Sequence, residues 1–233
     1  MTLRLLQIPF SHNSIKVRVA LARKGLAYEA VAVHPLLRRE VKRASGQTLM
    51  PVLCDGDRAI ADSTAILLYL EEAYPDPPLI PAAAADRAEC LVLEEWADAA
   101  FMALTRRLAY FELLAHPERL ELLFFPKLDE RIRSAVTGAA TPMLRHRFGL
   151  TEVQRRADVE LAPRLARVAL DRLDGRPFLV ADALTIADIA LASMAGPLAV
   201  APAAVREHAD VTALVGWSQE ILGDDGFGAP GGG

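Results

Sequence analysis

Two hydrophobic rhythms run along the chain, and one gives way to the other near residue 80. Ahead of that point, short β-type runs alternate with helical ones. Residues 3–8 form an apolar strand-like run that stops at Pro9. Over 14–24, Ile15, Val19 and Ala22 recur at helical spacing, and Gly25 is a helix stop. Residues 28–33 read as a second strand and 36–44 as a short helix. The runs 51–54 and 58–61 flank Asp55-Gly56-Asp57, a hairpin signal, because glycine tolerates a positive φ in the turn. Ile66, Leu67 and Leu70 then share one face of a helix over 62–74. The order βαβ, short helix, ββα predicts a small mixed sheet of four strands with helices on both faces.

Residues 74–81, Tyr-Pro-Asp-Pro-Pro-Leu-Ile-Pro, cannot prolong that helix, since each proline lacks an N–H and clashes with the preceding turn. Downstream, residues 82–114, 118–135, 151–173, 185–198 and 211–222 all carry helical periodicity, which predicts an all-α second domain. Pro126 and Pro163 fall inside two of these spans and predict a kink or break at each. The expected division is an α/β domain over 1–80, a linker region over 81–86, a helical bundle over 87–225 and a disordered tail over 226–233. The tail ends in Gly-Ala-Pro-Gly-Gly-Gly and has nothing to bury.

Composition narrows the function class. The chain is 52% hydrophobic with mean hydropathy +0.21, yet Arg, Glu or Asp interrupts the apolar residues every few positions. No window reaches the roughly 18 apolar residues that a membrane span needs. The first residues lack the basic leader and cleavage site of a secretory signal, so a cytoplasmic protein is expected. A net charge of −4 without a basic face argues against a nucleic-acid partner. The densest basic cluster, Arg38, Arg39, Lys42 and Arg43, fits a solvated helix side or a support for an anionic ligand. Cys54 and Cys90 show neither metal-ligand spacing nor a disulfide framework, and no metal site is expected.

Three segments carry candidate chemistry. At Pro9-Phe10-Ser11-His12-Asn13-Ser14 a strand ends and a helix begins. A hydroxyl there lies beside unpaired N–H groups and the positive end of the helix dipole. That setting favours a bound thiolate, and it also suits a plain helix cap. Met50-Pro51 precedes a strand. A cis bond there turns the Met50 backbone outward to pair with an extended peptide-like ligand, whereas a trans proline is an ordinary edge device. At Asp62-Ser63-Thr64 a second strand-to-helix junction offers N–H groups to a carboxylate and an acid to an ammonium, or again only a cap.

In this order the segments resemble the N-terminal domain of glutathione transferases over residues 3–81. Gly46 to Leu53 looks like the family's cis-proline segment, and Asp62-Ser63 is similar to its acidic-residue-plus-serine pair. Ser11 falls where serine-type and cysteine-type members place the catalytic side chain. Residues 178–189 resemble the capping signature of the family's helical half, with Thr185 as N-cap, Asp188 reaching back, and Leu184 and Ile189 as a hydrophobic staple. The resemblance implies a thioredoxin-like domain followed by an all-helical one, and a glutathione transferase acting through Ser11.

Glutathione, or a similar low-molecular-weight thiol, would lie against Met50, Pro51, Asp62 and Ser63, with Gln47 and Lys42 as further contacts. An apolar electrophile would sit by Phe10, Tyr110 and Phe111. A homodimer is implied, with no metal, nucleic acid or membrane partner. A non-catalytic binding or interaction module on the same fold is the alternative. With serine at both Ser11 and Ser14, a dithiol redox cycle is excluded.

Overall fold

The computed structural model describes residues 2–34, 38–124 and 129–225. β1 (Leu3–Gln7) lies at the centre of the sheet. It pairs in parallel with β2 (Tyr28–Ala32) and antiparallel with β3 (Val52–Asp55), which pairs antiparallel with β4 (Arg58–Ala61). The sheet is four-stranded, in the order β2-β1-β3-β4. Because strand side chains alternate, β1 serves two cores. Leu3 and Leu5 enter the large one, while Leu6 turns to a small one with Val33, Val52 and Val41 of α2 (Arg39–Ser45). Helices therefore cover both faces, as the alternation of elements predicts. The expected helix over 36–44 begins at Arg39 in the described residues; Leu36 and Leu37 lie outside them.

α1 (His12–Arg23) and α3 (Ser63–Ala73) pack on the larger core, and α1 also packs on α8 (Ile186–Ala195). Every residue of α8 is buried. A helix apolar all round has to lie in the middle of a fold, and α8 does, between α1, α4 (Ala84–Ala115) and α10 (Ala209–Leu222). Its small residues, Ala187, Ala190, Ala192 and Ala195, allow that crowding. One apolar cluster thus runs unbroken from Leu5 in the sheet to Leu191 and Leu214 in the helical half. The Asp188 carboxylate fixes the entry to α8. It accepts from the Thr185 N–H at 2.8 Å, the Thr185 hydroxyl at 2.7 Å and the Leu179 N–H at 2.7 Å.

The middle of the chain departs from expectation. The single helix expected over 118–135 is two, α5 (Pro117–Phe124) and α6 (Glu130–Phe148). α6 extends to Phe148 although Gly138, Thr141 and Pro142 all weaken its helical pattern. The Thr141 hydroxyl donates to the Thr137 carbonyl at 2.9 Å, one turn back, beside the turn where Pro142 has no N–H to give. α7 (Glu152–Leu173) runs through Pro163 without a break. A 3-10 turn (Gly196–Val200) and the single-turn α9 (Ala203–Arg206) join α8 to α10. Pro126 and the tail over 226–233 lie outside the described residues.

Replacing Asp188 by Ala leaves buried amides at Leu179 and Thr185 without an acceptor, each worth about 1–3 kcal/mol. Urea denaturation of Asp188→Ala should therefore show a loss of about 3 kcal/mol with the slope unchanged. A loss under about 0.5 kcal/mol would mean that the carboxylate does not organise this junction.

Candidate active site

β1 hands over to α1 through a short loop, and Arg18 ties that loop down. Its guanidinium donates to the Pro9 carbonyl at 2.7 Å and to Gln7 Oε1 at 3.2 Å. Ser11 is the N-cap of α1, with φ −76° and ψ 128°, and its N–H donates to the Ile8 carbonyl at 2.9 Å. Its hydroxyl makes no capping hydrogen bond. The expectation of a plain cap is thus not met, and the half-buried Oγ stays available. The first turn of α1 carries no acidic residue to neutralise the helix dipole. Ser14, one turn further on, is fully buried, and its Oγ has no hydrogen-bond partner among the described residues.

His12 follows Ser11 into the core, at 7% exposure, and its Nε2 also has no partner among the described residues. Burial, aided by the charges of Arg106 and Lys16, drives the imidazole down to about 3, so it is neutral at ordinary pH. Lys16 is buried as well, and it must be paired. It ion-pairs with Glu94, reaches Asp98 at 3.0 Å, and donates to the Thr64 hydroxyl at 3.1 Å. Thr64 donates in turn to Glu94 at 2.7 Å. This knot joins the starts of α1 and α3 to α4.

The second corner stands at the start of α3. Asp62 is its N-cap, accepting from the Ala65 N–H at 3.0 Å, and it adopts a φ of 81°, which side chains other than glycine rarely take. Ser63 behind it is buried. Burial pushes the Asp98 carboxyl up, against the pull of Lys16, while Glu94 and Asp62 add to the rise. The Met50-Pro51 peptide bond, just ahead of β3, is cis.

The contacts expected of Gln47 and Lys42 are less direct. The Gln47 amide folds onto its own loop, donating to Ser45 Oγ at 2.8 Å and to the Leu49 carbonyl at 3.0 Å, and accepting from the Leu49 N–H. Lys42 is exposed on α2. Arg38, at the start of the same helix, donates to the Thr48 carbonyl at 2.8 Å and steadies the loop leading to Met50.

The helical half adds an aromatic wall. Phe10 meets Phe124 at 5.2 Å between ring centroids, Tyr110 lies 6.4 Å from Phe124, and Tyr110 stacks on Phe148 at 4.6 Å. The Arg106 guanidinium sits 5.1 Å above the Phe148 ring. Burial pushes the Tyr110 hydroxyl up to about 12, against the charges of Arg106 and Arg38, and burial also lowers Arg106.

Of the three pocket residues expected from the sequence, Phe10 and Tyr110 join this wall. Phe111 does not take part in these ring contacts. One step further round α4, it lines an open cleft with Glu112, Ala115, Arg145, Glu152, Arg155 and Pro202. Sequence reasoning passed over His12, Arg106 and Phe148. Arg106 and Tyr110 are four apart on α4, and that spacing was the available signal.

The structure thus brings together a strand-to-helix corner with a hydroxyl that makes no capping bond, a cis-proline and an acid-serine corner on a thioredoxin-like sheet, backed by helices. Comparison with known proteins agrees. Residues 5–78 match the family model "Glutathione S-transferase, N-terminal domain". Glutathione S-transferase Z1 of Arabidopsis thaliana is 46% identical over 70 residues, covering 28% of this chain and 32% of that protein. Maleylpyruvate isomerase of a Ralstonia species is 41% identical over 81 residues, covering 33% and 38%. The matching stretch thus spans about a third of these curated relatives' own length. The crystal structure of a glutathione S-transferase from Rhodospirillum rubrum F11 superposes with a TM-score of 0.70 at 28% identity, covering 95% of this chain and 88% of that one. Residues 5–78 thus match a glutathione S-transferase N-terminal domain, and the chain as a whole shares the fold of a glutathione S-transferase structure.

The neutral, buried His12 makes a pH prediction. Its folded pKa of about 3 lies below the unfolded value of about 6.5. Between those values the unfolded chain binds a proton that the folded chain refuses, so stability rises with pH across that window. From pH 7 to pH 5 the native protein should lose about 2 kcal/mol more than His12→Gln, read from urea midpoints at each pH. Equal losses in both would show that His12 titrates normally in the fold.

Proposed function

We propose that this protein binds glutathione, or a similar low-molecular-weight thiol, as its thiolate and presents the sulfur to an electrophile, as a transferase or an isomerase. The observation that carries the reading is the Ser11 hydroxyl, which stands at the N-terminus of α1 and makes no capping bond. It is free to donate to a sulfur, and the unpaired amides of the first turn add positive potential. Lowering a thiol pKa from about 8.5 to about 7 takes roughly 2 kcal/mol, within reach of one charge-assisted hydrogen bond together with a helix dipole. Ser11 keeps its proton, and the thiol proton leaves for solvent.

The tripeptide would run along the edge at Met50 and Pro51, with its glutamyl end at Asp62 and Ser63. The N–H groups at the start of α3 suit the carboxylate, and Asp62 suits the ammonium. Gln47 and Lys42 would meet the other end after a change of rotamer. The sulfur would face Phe10 and Tyr110 across the aromatic wall. Conjugation joins sulfur to the electrophile. In the isomerase mode, which the Ralstonia relative's name favours, the same sulfur adds and later leaves.

A homodimer fits the exposed Leu68 on α3 and Leu91 and Val92 on α4, apolar side chains of the kind a second copy covers. Among the described residues no helix is long and apolar enough to cross a membrane, and no cluster of metal-binding side chains occurs. A cytoplasmic setting, as read from the sequence, completes the proposal.

Ser11→Ala should lower glutathione conjugation roughly 10- to 100-fold, the worth of one hydrogen bond to a charged acceptor. It should also raise the pKa of the bound thiol, followed by thiolate absorbance, and leave retention on immobilised glutathione largely intact. Equal turnover in the mutant would remove Ser11 from the mechanism. Retention of the native protein without turnover of any electrophile would favour the non-catalytic module.

A further inference from the structure

Arg106 is a cation without an anion. It projects from α4 over the Phe148 ring, 5.1 Å from the centroid of a ring on which Tyr110 also stacks, and its charge acts on the imidazole of His12. Among the described residues it makes no ion pair or hydrogen bond; burial is the first cause lowering its pKa, Tyr110 acts the other way, and the cations Arg147 and Arg107 add to the lowering. Its neighbour Arg107 shows the contrast: that guanidinium grips Asp158 with two bonds of 2.6 and 2.7 Å. A partly desolvated guanidinium among aromatic rings is costly unless an anion completes it. Among the described residues the chain supplies a ring face at Phe148 and no carboxylate.

A second, independent feature points into the same place. His12 is only 7% exposed, its Nε2 has no partner among the described residues, and the Arg106 charge is among the causes holding it neutral. The Tyr110 hydroxyl, stabilised in its protonated form, is a further donor beside the guanidinium. Planar Arg with a hydroxyl donor matches a carboxylate, and the Tyr110–Phe148 stack with the tilted Phe124 ring beside it matches a flat, unsaturated body.

We infer that the electrophile is an anion: a planar aryl or unsaturated compound whose carboxylate is held by Arg106, with Tyr110 and His12 around it, and whose flat body lies on the aromatic wall facing Ser11. The inference rests on the thiol-transfer reading, and it replaces the neutral apolar electrophile expected from the sequence. Arg106 acts as a specificity residue. It draws the carboxylate to the far end of the pocket and so leaves the reactive carbon toward the sulfur.

Two aryl chlorides test this, chlorodinitrobenzene and its carboxylate analogue chlorodinitrobenzoate. In either, the glutathione sulfur bonds to the ring carbon that carries chlorine, and chloride departs with the bonding pair. The native protein should prefer the carboxylate compound in kcat/KM after correction for the uncatalysed rates. Arg106→Gln should lose at least tenfold more on chlorodinitrobenzoate than on chlorodinitrobenzene, mostly through KM, and Arg106→Lys should restore part of it.

Benzoate, which has no leaving group, separates this claim from the thiol chemistry. Calorimetry with benzoate at saturating glutathione should give a Kd at least tenfold weaker in Arg106→Gln. If neither chloride is turned over but benzoate binding still depends on Arg106, the anion site stands and the transferase reading falls. Equal losses on the two chlorides, or benzoate binding indifferent to Arg106, would overturn the inference.

Discussion

Everything in this fold depends on the burial of α1 and on what that burial demands of two lysines, Lys16 within it and Lys24 at its C-cap. α1 is enclosed by the sheet, α3 and α8, so Lys16 and Lys24 cannot reach water. Each must find an acid or leave an uncompensated charge inside. Lys16 finds Glu94 and Asp98 on α4, in the other half of the chain. Lys24 finds Glu71 on α3 at 2.5 Å and donates to the carbonyls of Tyr74 and Pro77. The two ends of α1 are thereby fixed, and with them the position of Ser11.

The two pairs also set the electrostatics of the candidate site. Lys16 is neutralised by its acids and leaves the N-terminus of α1 to act through its own amides. The nearby imidazole of His12 is kept neutral, and Arg106 is left over as a positive centre. In the proposed pocket, hydroxyl and amide donors would stand at the sulfur end and a guanidinium at the far end. Both suit negative charge, and the rings between them suit a flat molecule.

The sheet, the first three helices and both corners were legible because they rest on local rules. Glycine stops, a hairpin turn, prolines at the linker and cap residues at helix starts each act within a few positions. The capping box at Thr185 and Asp188 was legible for the same reason. The reach of α6 to Phe148 was not, because Gly138, Thr141 and Pro142 weaken its helical pattern. Nor was the charge of the pocket. That Arg107 has an acid while Arg106 has none among the described residues depends on Asp158, about fifty residues away and brought near only by the packing of α4 on α7. The free hydroxyl of Ser11 was equally hidden, since sequence cannot distinguish a serine that caps from one that stands aside.

The seam between the halves carries a consequence for the molecule as a whole. Glu71, held by Lys24, accepts from the amides of Leu79 and Ile80, and the Leu79 carbonyl accepts from Ile186 at the first turn of α8. A peptide that elsewhere would serve as a hinge is here sewn to both sides and lies over a shared apolar interior. Such a molecule melts in one step rather than by parting. Its front half expressed by itself would leave a greasy helix and a bare lysine facing water, a fragment inclined to clump rather than fold.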